Sequence, residues 1–323
     1  MKKIALLALL TIVAALAPSQ AASAPSKAKP THPPQAVTGA ASAIGRTAAT
    51  LEGSVNPRGL PTTYRFDYGK TSSYGLSTSA LSAGSGTTAK SVSARITGLA
   101  PGTTYHYRIE ASNSAGTTFG KDKHFQTLPR LTIGAKPGTI VFGSSTTISG
   151  QLQSESNAGK TIELQANPYP YSGFTTVATT TTDSLGRYKF AAQRPGVNTR
   201  YRTRTVKAPL AISRTVNVGV RIRLTRGVSD ATPAKGQSVT FSGFACPAHV
   251  GGLLSLQRRS STGQWVTVAQ THLVQAAASP TCANRSRYAL AIRIFHNRTF
   301  RAVAARDADH LRGISARIAI VVH

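Results

Sequence analysis

Residues 143–150 (GSSTTISG) and 236–243 (GQSVTFSG) are one phrase written twice, 93 positions apart. The echo continues downstream. Residues 159–165 (GKTIELQ) match 251–257 (GGLLSLQ), and 174–178 (FTTVA) match 265–269 (WVTVA). Arg187-Tyr188 matches Arg287-Tyr288, and residues 198–202 match 297–301. A period of this length means that one folding unit occurs twice, so the architecture must be a tandem one. Within each copy the apolar runs are short, rich in Thr, Val and Ile, and broken by Gly, Pro and Asn. Helix-spaced apolar stripes are absent after the first 24 residues. That pattern predicts antiparallel β-sandwiches, one over 131–219 and one over 220–323.

Residues 36–130 lie outside the repeat but speak the same language. Tyr64, Phe66 and Tyr68 alternate with Thr63, Arg65 and Asp67, and Tyr105, Tyr107, Ile109 and Ala111 alternate with His106, Arg108 and Glu110. Strict alternation marks half-buried strands. The run 98–108 (GLAPGTTYHYR) resembles the E–F corner and strand F of a fibronectin type III domain. Asn113-Ser114-Ala115-Gly116 is similar to its F–G turn, and Phe125-Gln126-Thr127 to the close of its last strand. The resemblance covers about 90 residues. It implies that Leu99 plugs the core, that Pro101-Gly102 turns the chain, and that the Tyr105 hydroxyl returns to upstream backbone as a tyrosine corner. The strand-B tryptophan of that family is missing, with Leu51 the nearest apolar substitute, and no Arg-Gly-Asp triplet occurs. The repeated pair behind it resembles the tandem Ig-like sandwiches of bacterial surface and secreted proteins. The expected fold class is therefore all-β, three tandem antiparallel sandwiches.

The N-terminus predicts export. Lys2 and Lys3 precede an apolar stretch of fourteen residues (4–17), and Ser19-Gln20-Ala21 places small residues where a signal peptidase reads. The apolar stretch is shorter than the ~20 residues a span needs, so residues 1–21 read as a signal peptide and the mature chain as lacking a transmembrane segment. Residues 22–35 read as a Pro-rich basic linker with little prospect of packing. The expected location is extracellular or associated with the cell envelope.

Thirty-eight Lys and Arg face ten acidic residues, a net charge of +28, of which +24 is spread over the three domains and the rest lies in residues 1–35. Such a field attracts polyanions. For an exported chain the partners to expect are anionic envelope polymers, polysaccharide or another surface protein, with nucleic acid ranked below them. No catalytic constellation is found. Ten carboxylates over three domains leave few candidates for paired acid–base chemistry, and no nucleophile elbow or phosphate loop is present. The chain reads as a non-enzyme without a cofactor.

Cys246 and Cys282 are the only cysteines. In an exported chain they predict a disulfide. Gln153 stands where the first repeat matches Cys246, and the loop that carries Cys282 is an insertion, so the bridge reads as a staple added with that loop. His249 and His272 fall, by the antiparallel count, at the disulfide end of the third domain, while the run Asp307-Ala308-Asp309-His310 lies in its last loop. They are read as solvated loop residues, and no metal site is expected. Trp265, matching Phe174, is expected in the core.

Two features remain as binding candidates. Arg200, Arg202 and Arg204 alternate along one strand with Tyr201 facing inward, which spaces guanidinium groups about 6.5–7 Å apart on one face. Tyr169 and Tyr171 flank Pro170 at a hairpin tip and offer aromatic faces to a sugar or a protein, or else pack against a neighbouring domain. The expected function is a secreted adhesion or binding array holding anionic polymer. The alternative is a structural spacer or interaction scaffold at the cell surface.

Overall fold

The computed structural model describes residues 32–323, which hold strands and no helix. The expected signal peptide and most of the linker lie outside the described residues. The end of the linker is packed after all. The Asn113 amide donates to the His32 carbonyl, and Thr118 Oγ1 donates to the Pro34 carbonyl at 2.7 Å. The chain then enters its first strand at Gln35.

In the front sandwich a three-stranded sheet (Gln35–Thr38, Ala48–Asn56, Lys90–Thr97) faces a sheet centred on Thr62–Gly69 and Thr104–Asn113. Gly116–Phe119 and Lys123–Gln126 both pair along Thr104–Asn113, and Leu76–Ser77 and Leu81–Gly84 along Thr62–Gly69. The alternation predicted for these strands is realised: Phe66, Tyr107, Ile109 and Leu51 are fully buried. Leu99 joins the same core, and the Tyr105 hydroxyl accepts the Ala100 amide at 2.9 Å. That is the tyrosine corner the resemblance implied.

The second and third sandwiches share one plan. In the second, Thr146–Gln153 pairs with Arg187–Gln193 across from a five-stranded sheet that contains Thr175–Thr181, Thr161–Pro168, Thr199–Thr205 and Val216–Arg221. In the third, Ser238–Cys246 pairs with Arg285–Arg293 across from Trp265–His272, Leu253–Arg259 and Arg298–Ala304. Among the named strands one pairing departs from the expected antiparallel arrangement: Thr139–Val141 runs parallel to Val216–Arg221. The entering strand has crossed to the opposite sheet, where it can only run alongside the last strand.

The repeated phrase now has a physical meaning. Its first glycine, Gly143 or Gly236, has φ near +85° (87° and 84°), a left-handed turn that an L side chain resists. Its last, Gly150 or Gly243, sits where the chain before the sandwich passes so close that a Cβ would run into the Thr132 or Thr225 carbonyl. That same carbonyl accepts the hydroxyl of a buried tyrosine, Tyr188 on Thr132 and Tyr288 on Thr225. Burial pushes both phenols up to about 12, so they remain neutral donors. The Gly and Arg-Tyr echoes are thus two halves of one contact.

Candidate functional site

The two predicted binding features form one surface. Thr199–Thr205 pairs with Thr161–Pro168 so that Arg200, Arg202 and Arg204 stand opposite Asn167, Gln165 and Glu163. All three arginines face outward from the five-stranded sheet, while Tyr201, Thr203 and Thr205 are buried behind them. The hairpin tip at 168–171 folds beside the same strand, through the Tyr169 amide on the Asn198 carbonyl at 2.9 Å. Tyr169 and Tyr171 meet edge to face with centroids 5.6 Å apart, and the Arg200 guanidinium lies 3.9 Å over the Tyr171 ring. The tip therefore packs against its own sandwich through Arg200, not against a neighbour, and Tyr169 keeps 38% of its surface exposed.

The arginines are not equivalent. Arg204 donates to Glu163 Oε2 at 2.7 Å, and this contact holds the Glu163 carboxyl below the usual carboxylate range. Arg202 donates to Gln165 Oε1 at 2.8 Å and covers Phe174 at 4.1 Å. The third sandwich repeats this group atom for atom: Arg301 donates to Gln257 Oε1 at 2.9 Å and covers Trp265 at 4.1 Å. Trp265 is therefore half-buried on the outer face beneath an arginine, not in the core. Alternation alone cannot separate an inward ring from an outward ring with a cationic lid. In the front sandwich Arg108 lies 3.9 Å over Phe119 and bonds Asp67. Stacked arginine is a recurrent outer-face device of this chain, worth about 0.5–1 kcal/mol at exposed sites. Arg200 and Arg204 have no counterpart in the third sandwich, where the repeat keeps Arg301 alone.

Glu163 escaped notice in the sequence because its partner lies 41 positions away. Its effect is to hold one of the three cations in a local pair. Replacing it (Glu163→Gln) is expected to raise affinity for a soluble polyanion about two- to fivefold, the worth of one exposed pair, measured by titration at low salt.

Of the lysines and arginines among the described residues, only Arg65, Arg108 and Arg204 form ion pairs with carboxylates. The remaining positive charge is left to solvent or to a partner. The predicted bridge joins Cys246 and Cys282, with Cα atoms 6.2 Å apart. The histidines depart from expectation: His249 and His310 meet Asp307 and Asp309, His310 is 2% exposed, and His272 stays apart.

No family model matches this chain, and no curated protein matches it. Among solved structures it is similar to a tetra-tandem repeat in the extending region of a large adhesion protein, at 16% identity and TM-score 0.31, covering 89% of this chain and 74% of that one. It is also similar to the FN1–FN3 domains of chicken CNTN1, at 16% identity and TM-score 0.29, covering 90% and 97%. A two-domain fibronectin type III segment of chicken tenascin aligns at 15% identity and TM-score 0.30, covering 58% and 97%. The strand order and register described above define the fold independently of these likenesses: a tandem β-sandwich chain with a fibronectin type III-like front domain and two Ig-like units behind it. No helix among the described residues is long and apolar enough to cross a membrane.

Proposed function

We propose that this protein is an exported, non-catalytic binding array that holds an anionic polymer, and that its principal contact is the outer face of the second sandwich. The observation that carries this reading is the single surface made by Tyr169, Tyr171, Arg200, Arg202 and Arg204. A guanidinium row spaced along a strand suits repeated carboxylates or phosphates, and an exposed ring beside it suits the apolar face of a sugar. Unneutralised charge on all three domains adds long-range attraction. An acidic polysaccharide at a cell envelope combines these chemistries.

The test compares wild type with Arg200→Ala/Arg204→Ala, which leaves Arg202 in place because its guanidinium covers Phe174. Losing two exposed contacts of about 0.2–1 kcal/mol each predicts roughly two- to thirtyfold weaker binding to polygalacturonate, with the melting transition of the second sandwich lowered by only a few degrees through loss of the Tyr171 stack and the Glu163 pair. Equal affinity in the two proteins would remove this face from the reading.

A second reading, a spacer that sets the distance between other surface components, is supported by the seam between the first two sandwiches. The Gly102 carbonyl of the front domain accepts the Glu155 amide at 3.0 Å, and Glu155 Oε2 accepts the Thr104 amide at 3.1 Å. A spacer predicts negligible affinity for polyanions and salt-tolerant association with one protein partner.

A further inference from the structure

We propose that His249, Asp307, Asp309 and His310 form a site for a divalent transition metal of the zinc class, at the seam between the second and third sandwiches. One potential ligand atom from each of the four residues lies within 4.8 Å of the others. The individual separations are short: His249 Nε2 to Asp307 Oδ2 is 2.8 Å, and His310 Nδ1 lies 3.0 Å from Asp309 Oδ1 and 3.9 Å from Asp307 Oδ1. Bonds of about 2.0–2.1 Å place tetrahedral donors about 3.3 Å apart, so small side-chain adjustments complete the shell.

The outer contacts of both imidazoles point the same way. His249 Nδ1 lies 2.8 Å from the Pro247 carbonyl, and His310 Nε2 lies 2.7 Å from the Gly196 carbonyl of the second sandwich. A carbonyl only accepts, so each of these nitrogens carries the ring proton. In the neutral ring the other nitrogen is then a lone pair, which in His249 faces Asp307 and in His310 faces both Asp307 and Asp309. Backbone carbonyls fixing the tautomer of a histidine in this way are the usual outer shell of a metal ligand. His310 Nδ1 supplies the independent sign. It is buried in a residue 2% exposed and makes no hydrogen bond, although carboxylate oxygens are close by. Two lone pairs and two carboxylates facing one another leave a cation-shaped deficit at their centre.

The choice of partners sharpens this. The chain has 38 Lys and Arg for ten carboxylates, yet the ion-pair neighbours of Asp307 and Asp309 among the described residues are histidines alone. Two imidazoles and two carboxylates form a mixed nitrogen and oxygen set that fits Zn²⁺ and its first-row neighbours better than Ca²⁺, which takes six to eight oxygens.

Such an ion would fasten the loop after Cys246 to the loop between Arg298–Ala304 and Gly313–Ile314. That loop already bridges the two domains: Asn198 donates its amide to the Asp309 carbonyl at 2.8 Å, and Leu311 its amide to Val220 at 2.7 Å. The site is therefore a clamp on the angle between the two units.

The test uses the full mature chain without a histidine tag, stripped with chelator and titrated with ZnCl₂ by calorimetry. One zinc per chain is expected, with a rise of about 5 °C in the melting transition of the third sandwich at saturation. Cobalt(II) should give the intense visible absorption of a tetrahedral centre. His249→Gln and Asp307→Asn/Asp309→Asn should each abolish stoichiometric uptake, and His272→Gln should leave it unchanged. Wild-type protein that takes up no stoichiometric zinc or cobalt would overturn the proposal and assign the cluster to a protonated His310 between two acids. Full uptake by both variants would overturn it as well. Should a variant fail to fold, the wild-type stoichiometry decides alone.

Discussion

Replacing Cys246 and Cys282 together by alanine is expected to lower the melting transition of the third sandwich by roughly 10–20 °C, corresponding to about 3–4 kcal/mol in the chain-entropy description. The bridge spans 36 positions and ties the end of Ser238–Cys246 to the loop that leads into Arg285–Arg293. That loop has few other restraints: reciprocal backbone bonds between Ser279 and Cys282, the Arg285 side chain on the Ala277 carbonyl, and Arg223 on the Thr281 carbonyl. The second sandwich shows why it manages without a bridge. Its equivalent connection is a tight turn in which Asp183 Oδ1 accepts the Leu185 and Arg187 amides at 2.9 and 2.8 Å. Scanning calorimetry with and without reductant checks the expectation. The transitions of the first two sandwiches should stay in place, and a third transition that does not move would show that the insertion is ordered without its covalent tie.

Gly150→Ala and Gly243→Ala form the second large effect, about 2–3 kcal/mol each in denaturant melts. Neither position has room. A Cβ at Gly243 would meet the Thr225 carbonyl and press on the Tyr288 ring, whose Cε1 and Oη lie 2.8 Å away. At Gly150 the obstacles are the Thr132 carbonyl and the Tyr188 hydroxyl. Relief requires the preceding strand to move, and this also stretches the tyrosine hydrogen bonds, each worth about 1 kcal/mol. Both variants landing within about 0.5 kcal/mol of wild type, the range of inert surface changes, would mean the repeated phrase is not the packing device described above.

Much of this was legible in the chain because the strands declare themselves by alternation. Tyr105, Tyr107 and Ile109 turn inward as their spacing says, and the repeat at 143–150 and 236–243 locates equivalent strands in two sandwiches. The tyrosine corner followed from a local motif of eight residues. What period-two alternation cannot encode is which outward residues are occupied. Arg200, Arg202 and Arg204 look identical in the sequence, yet one lies over Tyr171, one over Phe174 and one on Glu163, through partners in other strands. Trp265 was misplaced for the same reason. The meeting of His249 with Asp307, Asp309 and His310 joins loops about 60 positions apart, and the Gly196 carbonyl that orients His310 lies 114 positions away. The residues stand out in the sequence, but no local pattern brings the two loops together, and each reads by itself as an ordinary polar turn.

Binding of the mature chain to polygalacturonate and to polyphosphate, followed as sodium chloride is raised from 0.05 to about 1 M, tests the central claim most directly. Screening shortens from about 10 Å at 0.1 M to about 3 Å at 1 M. A surface that acts through unpaired arginine and lysine should therefore lose at least about tenfold in affinity across that range, and more in wild type than in Arg200→Ala/Arg204→Ala. Affinity that is absent at the lowest salt, or undiminished at the highest, would contradict the electrostatic account and leave the spacer reading in its place.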